Sequence, residues 1–525
     1  MKRPLIWSIG ASDSTAGAGC LADVRVAHSC GCDCSVLLLA VTAQSSQGVH
    51  ALQRLPLTML EQQWQALQRD DWPAVIRLGW LPADSTLLDW LLEKLAEFPG
   101  PVLWDPVQAA TQGGLVAGTW SGEQLSALLR RVTLLTPNAG EAGQLLQALT
   151  VNDGRAAGQT ATAHCPASLA ALLQACGAGH VLITGGDADD AALVSDYFFA
   201  AAGDDPRYCT LAAELPGPSL LAAFRVQHPR IARRVHGTGC HLTAGIACAL
   251  AHGHTLYDAV VRGVVTARLA IDHASMRTNG YGNAWACDPE LTAAADWPRV
   301  LPLATSGEVM FASAEQALGL YGLVDNLSHL RRLLSLGIDT LQWRVKERSV
   351  QYEADMAQAI ALCHEAGVPL YINDDWQMAL KLGAYGVHLG QEDLLNADCR
   401  ALALAGLRLG ISTHSDWEIS RALALKPSYI AFGPVFIPLS KRLRYAPLGP
   451  ARVERWTTRF ATQRLTCIGG ITPDNLEVVA ATGITSVAIV TALSDDDGLA
   501  ARVRDMRRFF PQLRQSLCTA ETSGA

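Results

Sequence analysis

Pro4-Leu5-Ile6-Trp7-Ser8-Ile9-Gly10-Ala11-Ser12-Asp13-Ser14-Thr15-Ala16-Gly17-Ala18-Gly19 passes from an apolar run into a glycine-rich turn and then into a helical pattern that holds Ala22 and Asp23. The apolar run, Pro4 to Ile9, is continuous rather than alternating, as a parallel strand covered on both faces should be. Five more such runs follow: Ser35 to Val41, Val75 to Gly79, Val102 to Trp104, Val132 to Leu135 and Val181 to Ile183. Helical patterns such as Leu87 to Phe98 and Ala167 to Cys176 lie between them. An open, mostly parallel α/β sheet is predicted as far as about Ala274, with Asp13, Gln44, Asp105, Asn138 and Glu141 just past strand ends.

Beyond it the spacing is lost, and Asn279-Gly280-Tyr281-Gly282-Asn283, Pro289 and Pro302 punctuate the chain. Residues 276–315 read as a linker with a short helix around Pro289 to Asp296. Eight short apolar runs then recur: Leu320 to Val324, Thr340 to Val345, Pro369 to Ile372, Gly386 to Leu389, Leu407 to Ile411, Tyr429 to Phe432, Leu465 to Ile468 and Ser486 to Val490. A helical pattern fits each interval, which predicts a (β/α)8 TIM barrel. The expected domains are 1–275 and 316–525. The barrel's unusual residues sit at strand ends, among them Asp325, Arg344, Lys346, Asn373, Asp374, Gln391, Asp393, Ser412, Lys441 and Thr491, where barrel active sites are built.

Composition narrows the function classes. Charged residues are 17% and hydrophobic ones 50% of 525 residues, which suits thick cores and excludes disorder. The 41 basic and 49 acidic residues are interspersed, giving -8 overall, so nothing resembles a nucleic-acid footprint or a polybasic membrane patch. Fourteen cysteines in such a length are too few for a disulfide scaffold and read as reduced thiols of a cytoplasmic protein. No apolar run reaches a membrane span, and Leu5 to Ile9 is too short for a signal-peptide core. The partners expected are small molecules, with neither nucleic acid nor membrane; a homo-oligomer is compatible with the sequence.

His236-Gly237-Thr238-Gly239-Cys240-His241-Leu242-Thr243-Ala244-Gly245 is a second glycine turn running into an apolar helix. Residues without side chains let backbone N–H groups converge at a helix N-terminus, where the dipole favours an anion such as a phosphoryl group. Cys240 falls in the first helical turn, where a thiol's pKa is lowered, so it is placed to take a proton from an attacking hydroxyl. An ordinary loop-to-helix turn is the plainer reading of these ten residues.

In chain order, Gly10–Gly19, Thr42-Ala43-Gln44, Asp105-Pro106-Val107, Leu135-Thr136-Pro137-Asn138-Ala139-Gly140-Glu141-Ala142, Thr184-Gly185-Gly186-Asp187 and the His236 turn resemble the hydroxymethylpyrimidine and phosphomethylpyrimidine kinases of thiamine biosynthesis, which have the ribokinase-like fold. The resemblance implies that Gln44, with Asp23, Trp80 and Val107, binds the pyrimidine. It makes Gly237, Thr238 and Gly239 the anion hole and Cys240 the base, and places Asp105, Asn138, Glu141 and Thr184 around Mg²⁺ and the phosphates of ATP. Thr184 stands where a lysine is usual and Trp80 where a methionine is usual, which leaves a pyridoxal-type vitamin kinase as an alternative.

In Gln342-Trp343-Arg344-Val345-Lys346 the alternation of a strand puts three polar side chains on one side, costly in a barrel interior unless they hold something. A solvated strand end is the plainer alternative. Asn373-Asp374 and Gln391-Glu392-Asp393 add carboxylates at successive strand ends, a mixed-charge set suited to a diphosphate with Mg²⁺. With Gly410-Ile411-Ser412-Thr413-His414, Phe432-Gly433-Pro434-Val435-Phe436, Ile468-Gly469-Gly470-Ile471-Thr472-Pro473 and Ala488-Ile489-Val490-Thr491-Ala492, these resemble thiamine-phosphate synthase. That resemblance implies loss of diphosphate from the pyrimidine, helped by Arg344, Lys346 and Lys441 and by Mg²⁺ on Asp374 and Asp393. Gln342, Asn373 and Ser412 would orient the substrates, and Ser440, Gly470, Val490 and Thr491 would hold phosphate. Ile437-Pro438-Leu439-Ser440 replaces a stretch in which two threonines are usual, so a non-catalytic ligand-binding barrel stays open.

Three features read as structural. Cys30-Gly31-Cys32-Asp33-Cys34 lacks a second pair at zinc-site spacing. His252 and His254 read as helix-cap residues, and Trp64, Trp72, Trp90 and Trp104 as core.

Overall fold

The computed structural model describes residues 2–107, 120–150, 165–186, 192–201, 222–233, 235–277, 281–304, 309–314, 317–437, 446–494 and 497–511. The chain forms two compact units, the first drawn from Met1–Leu215, Leu221–Thr292 and Asp296–Thr305, the second holding Ser306–Ala525.

In the first unit the strands are β1 (Leu5–Ala11), β2 (Asp33–Ser45), β3 (Gly48–Arg54), β4 (Val75–Leu78), β5 (Val102–Trp104), β6 (Leu134–Leu135), β7 (His180–Ile183), β8 (Leu193–Phe199), β9 (Ala223–Pro229), β10 (Val235–His236), β11 (Gly282–Asn283) and β12 (Arg299–Pro302). Ten of them form one open sheet in the order β12-β9-β8-β7-β6-β5-β4-β1-β2-β3, and β10 pairs with β11. The central pairs are parallel. The pairs β2–β3, β7–β8, β8–β9 and β9–β12 are antiparallel, so the sheet is more mixed than predicted. Of the six expected strands β1 and β4 to β7 are buried along most of their length, while β2 is buried only at Leu37, Leu39, Ala40 and Thr42; the unpredicted β3, β8, β9 and β12 are partly exposed edge and flanking strands that carry no continuous apolar run.

The expected linker is a second correction. Gly282–Asn283 and Arg299–Pro302 are strands of the first unit, and the helix expected at Pro289 to Asp296 is two 3-10 turns, Pro289–Leu291 and Ala294–Asp296. Their pairing partners lie tens of residues away, so local spacing carries no sign of them.

β1 lies between β2 and β4, so the connections leave it in opposite directions and open a crevice at the carboxyl ends of these strands. One sheet face carries a core that includes Trp7, Trp64, Trp90 and Trp104. Trp72 is 37% exposed but stacks on Trp7 at 5.6 Å, so it completes this cluster from its edge. The helix Thr238–Ala251 is buried on every side from Cys240 to Leu250, as an apolar helix without a polar face must be.

The second unit is a closed barrel of eight parallel strands: β13 (Leu320–Val324), β14 (Thr340–Trp343), β15 (Leu370–Asn373), β16 (Gly386–Leu389), β17 (Arg408–Thr413), β18 (Tyr429–Phe432), β19 (Leu465–Ile468) and β20 (Val487–Ile489). All eight predicted runs are strands. Inside it, Tyr321, Tyr371 and Tyr429 pack with Leu323, Ala431 and Ala488. Among the described residues no helix is long and apolar enough to cross a membrane.

Burial pushes the His180, His241 and His388 rings down to about 4. In the unfolded chain they titrate near their ordinary value, so between pH 6.5 and 4 the unfolded state binds more protons. Stability is therefore complete above pH 6.5 and is lost as pH falls toward 4, by about 3 kcal/mol per ring at the limit. Urea midpoints at pH 8, 7, 6 and 5 should be level first and then decline; a midpoint that holds to pH 5 would contradict neutral burial of these rings.

Candidate active sites

The two glycine turns of the first unit meet at the crevice. Gly237 caps the helix Thr238–Ala251 with φ +88°, and a Cβ there would lie 1.8 Å from the Gly17 carbonyl oxygen; only glycine meets both demands. Asp13 organises the first turn: it accepts hydrogen bonds from Thr15 N, Thr15 Oγ1, Gly17 N and Ala18 N at 2.8–3.1 Å. Burial works against its carboxylate, yet the hydrogen bonds from His236 and Thr15 hold its pKa below the ordinary value. Asn283, from the stretch expected to be linker, donates through Nδ2 to Thr15 O at 3.1 Å.

A small pocket of about 90 Å³ is lined by Asp13, Gln44, Trp80, Val107, His236 and Cys240, with Arg77 at its base. Gln44 Nε2 lies 2.8 Å from His236 Nε2. Asp23 is fully buried below the pocket and is not in its lining. Arg77 is fully buried and spans two carboxylates, with Nη1 3.2 Å from Asp23 Oδ2 and Nη2 2.5 Å from Asp105 Oδ2. Ser8 Oγ donates to Asp23 Oδ2 at 2.5 Å. Arg77 is not among the residues expected at the site; its only mark in the sequence is a charge inside the apolar run Val75-Ile76-Arg77-Leu78, a position tolerated only with partners.

Two expectations change here. The Cys240 thiol is pushed up to about 12, because burial and the nearby Asp105 and Asp23 carboxylates outweigh Arg77 and the helix end. Asp105 is 3% exposed and its Oδ2 is held by Arg77 at 2.5 Å, so that oxygen is bound to the guanidinium rather than open to an ion. Asn138 and Glu141 cap the helix Ala139–Thr150 reciprocally, Asn138 N donating to Glu141 Oε2 at 2.9 Å and Glu141 N to Asn138 Oδ1 at 2.8 Å, the arrangement of a capping box. Thr184 forms a bridge with Asn138, which places these three together at the ends of β6 and β7, outside the lining of the small pocket. Asp187 lies outside the described residues.

The cysteine run near Cys30 ends the helix Gly19–Ser29. Among the described residues no group of three or more side chains is arranged for a metal.

In the barrel, a cavity of about 880 Å³ at the carboxyl end is lined by Asp325, Arg332, Arg344, Lys346 and Val490, among others. β14 stops at Trp343, so strand alternation does not reach Arg344 and Lys346; they project from the following loop, while Gln342 is buried at 4% exposure in the tyrosine layer. Asp374 has φ +63°, an uncommon conformation for a non-glycine residue. Burial and the adjoining Asp393 carboxylate raise the Asp374 pKa to about 6, against the pull of Arg344. Asn373 Nδ2 donates to Asp374 Oδ2 at 2.6 Å and Gly390 N to Asp393 Oδ2 at 3.2 Å.

Ser412, half-buried at the end of β17, hydrogen-bonds His388 at 2.8 Å, a ring to which the sequence reading gave no role. Gly470 (φ +66°) abuts Phe436, and its carbonyl accepts from Asn475 Nδ2 at 2.8 Å. Val490 and Thr491 lie where β20 gives way to the short helix Thr491–Ser494. Ser440 and Lys441, with Pro438 and Leu439 of the altered loop, lie outside the described residues.

Comparison with known proteins separates the same two segments. A family model described as phosphomethylpyrimidine kinase matches residues 13–212 and 221–285, and one described as thiamine monophosphate synthase matches 320–493. A thiamine-phosphate synthase of Salmonella newport is 47% identical over 185 residues, 35% of this chain and 88% of the relative. Among solved structures, a pyridoxal kinase from Staphylococcus aureus in complex with ADP is 21% identical, covering 54% of this chain and 93% of its own, with a TM-score of 0.43. A thiamine phosphate pyrophosphorylase from Pyrococcus furiosus is 25% identical over 37% of this chain and 95% of its own, with a TM-score of 0.33. The chain belongs to two families of thiamine biosynthesis joined in series, a phosphomethylpyrimidine kinase followed by a thiamine-phosphate synthase.

Proposed function

We propose that the kinase half uses ATP to phosphorylate hydroxymethylpyrimidine as well as its phosphate, and that the barrel condenses the resulting diphosphate with thiazole phosphate. The observation that carries this reading is the meeting of the Gly17 and Gly237 turns over a pocket lined by Gln44, Trp80, Val107 and Cys240. Gln44 would read the pyrimidine once it exchanges His236 for the ring. Residues 237–239 would take the phosphoryl group on backbone N–H donors. Phosphoryl transfer through a loose transition state asks little of a base, so a thiol that is protonated at rest is adequate: Cys240, beside Asp105, would receive the hydroxyl proton late. Asn138, Glu141 and Thr184 would face the nucleotide.

In the synthase, Arg344, Lys346 and Lys441 would stabilise charge growing on the departing diphosphate. Gln342, Asn373 and Ser412 would orient the pyrimidine, with Ser440, Gly470, Val490 and Thr491 at phosphate. Asp374 and Asp393 fit Mg²⁺: the two carboxylates are held against each other and Arg344 offsets them only in part, and hard oxygen donors with substrate phosphate suit that ion. When bound, it would supply positive charge to the leaving diphosphate.

Purified full-length protein given hydroxymethylpyrimidine, ATP, Mg²⁺ and thiazole phosphate should form thiamine phosphate. Ready-made pyrimidine diphosphate should be turned over without ATP, and its failure would make the barrel a binding module. A higher kcat/KM for pyridoxal than for hydroxymethylpyrimidine would overturn the substrate assigned to the kinase.

A further inference from the structure

A chain of hydrogen bonds crosses the barrel interior. Gln342 Nε2 donates to the Tyr321 hydroxyl oxygen at 3.1 Å. The Tyr321 and Tyr429 hydroxyls are 2.8 Å apart, Tyr429 OH is 2.7 Å from His388 Nδ1, and His388 Nε2 is 2.8 Å from Ser412 Oγ. Gln342, Tyr321, Tyr429 and His388 are all at least nine-tenths buried, so each proton needs an acceptor within the chain.

That requirement gives the chain one sense. An amide NH₂ only donates, so the Tyr321 oxygen accepts and its proton goes on to Tyr429. Tyr429 in turn donates to Nδ1. The ring is buried with no carboxylate partner among the described residues, which favours the neutral form. With Nδ1 accepting, its proton sits on Nε2 and is donated to Ser412 Oγ. The Ser412 hydroxyl hydrogen is left for a ligand, and so is Gln342 Oε1. Reversing the chain requires the Gln342 amide to turn over, which would present a donor where an acceptor now stands.

We infer that His388 is a positioning residue of the synthase, the link through which Tyr321 and Tyr429 couple the hydrogen-bonding sense of Gln342 to that of Ser412. Set this way, the two ends select a ligand with a donor at Gln342, such as a ring amino group, and an acceptor at Ser412, such as a ring nitrogen or a phosphate oxygen. The inference rests on the reading of Gln342 and Ser412 as substrate contacts.

The test uses the full chain labelled with ¹⁵N-histidine, with the His388 resonances assigned by their loss in His388→Gln. A protonated Nε2 and a bare Nδ1 are expected; a protonated Nδ1 overturns the relay without recourse to any variant. Tyr429→Phe should change that tautomer and lower kcat/KM for the pyrimidine diphosphate by about tenfold, the upper end of the net worth of one neutral hydrogen bond. Tyr321→Phe should act in the same direction. Tyr429→Phe combined with Ser412→Ala should be no worse than Ser412→Ala alone, and fully multiplicative losses overturn the coupling. If Ser412→Ala leaves kcat/KM unchanged while the Nε2–H tautomer is seen, the substrate contact at Ser412 is what fails, and the positioning role falls with it.

Discussion

Replacing Arg77 by methionine is expected to destabilise the first unit by about 3–5 kcal/mol, the usual cost of removing one partner from a buried ionic cluster, and to abolish kinase turnover. Asp23 and Asp105 would stay at 0% and 3% exposure with no counter-cation between them. Burial already drives both carboxyls upward against the pull of the guanidinium, and without it they rise further. A carboxyl whose folded pKa is raised costs stability as pH rises through the interval between its unfolded and folded values. The penalty should therefore be larger at pH 8 than at pH 5. Urea unfolding followed by kinase activity measures it, with synthase turnover of the same preparation as a control. Adding Asp23→Asn and Asp105→Asn should recover part of the loss. A penalty under about 1 kcal/mol at pH 8, the scale of an exposed pair, would show that the cluster is not an ionic one.

The second large effect is expected at Arg344. Arg344→Met should lower kcat/KM for the pyrimidine diphosphate by about 10²–10³, the scale for removing one preorganised charge-stabilising group, and leave kinase turnover intact. Arg344 lines the barrel mouth with Lys346 and pulls the Asp374 pKa down, so it offsets the acidic pair before a ligand arrives and, on the proposed reading, would meet the diphosphate afterwards. Arg344→Lys should recover only part of the rate, since a point charge lacks the planar fork that grips phosphate. Steady-state kinetics with ready-made diphosphate decide it; a change below tenfold would place Arg344 away from the leaving group.

The buried strands were legible because burial on both faces leaves continuous apolar runs, as at Val102–Trp104 and Gly386–Leu389. β3, β8, β9 and β12 were not, because half-exposed strands are specified by their neighbours rather than by their own composition. Arg77 and His388 show the same limit at the sites. Each is a polar residue in an apolar run, a pattern that marks a position in need of partners without naming them.

By itself the sequence determined the two folds, their order and the strand ends and glycine turns that carry the candidate site residues, since periodicity and turn residues are local properties of the chain. Tertiary structure alone decided what those residues experience. It brought Asn283 to Thr15 across 268 positions, set Arg77 between two carboxylates, raised the Cys240 thiol where the helix end alone would lower it, and strung Gln342 to Ser412 through three buried rings. Electrostatics and hydrogen-bond sense depend on burial and on partners distant in the chain, and these exist only once the chain has folded.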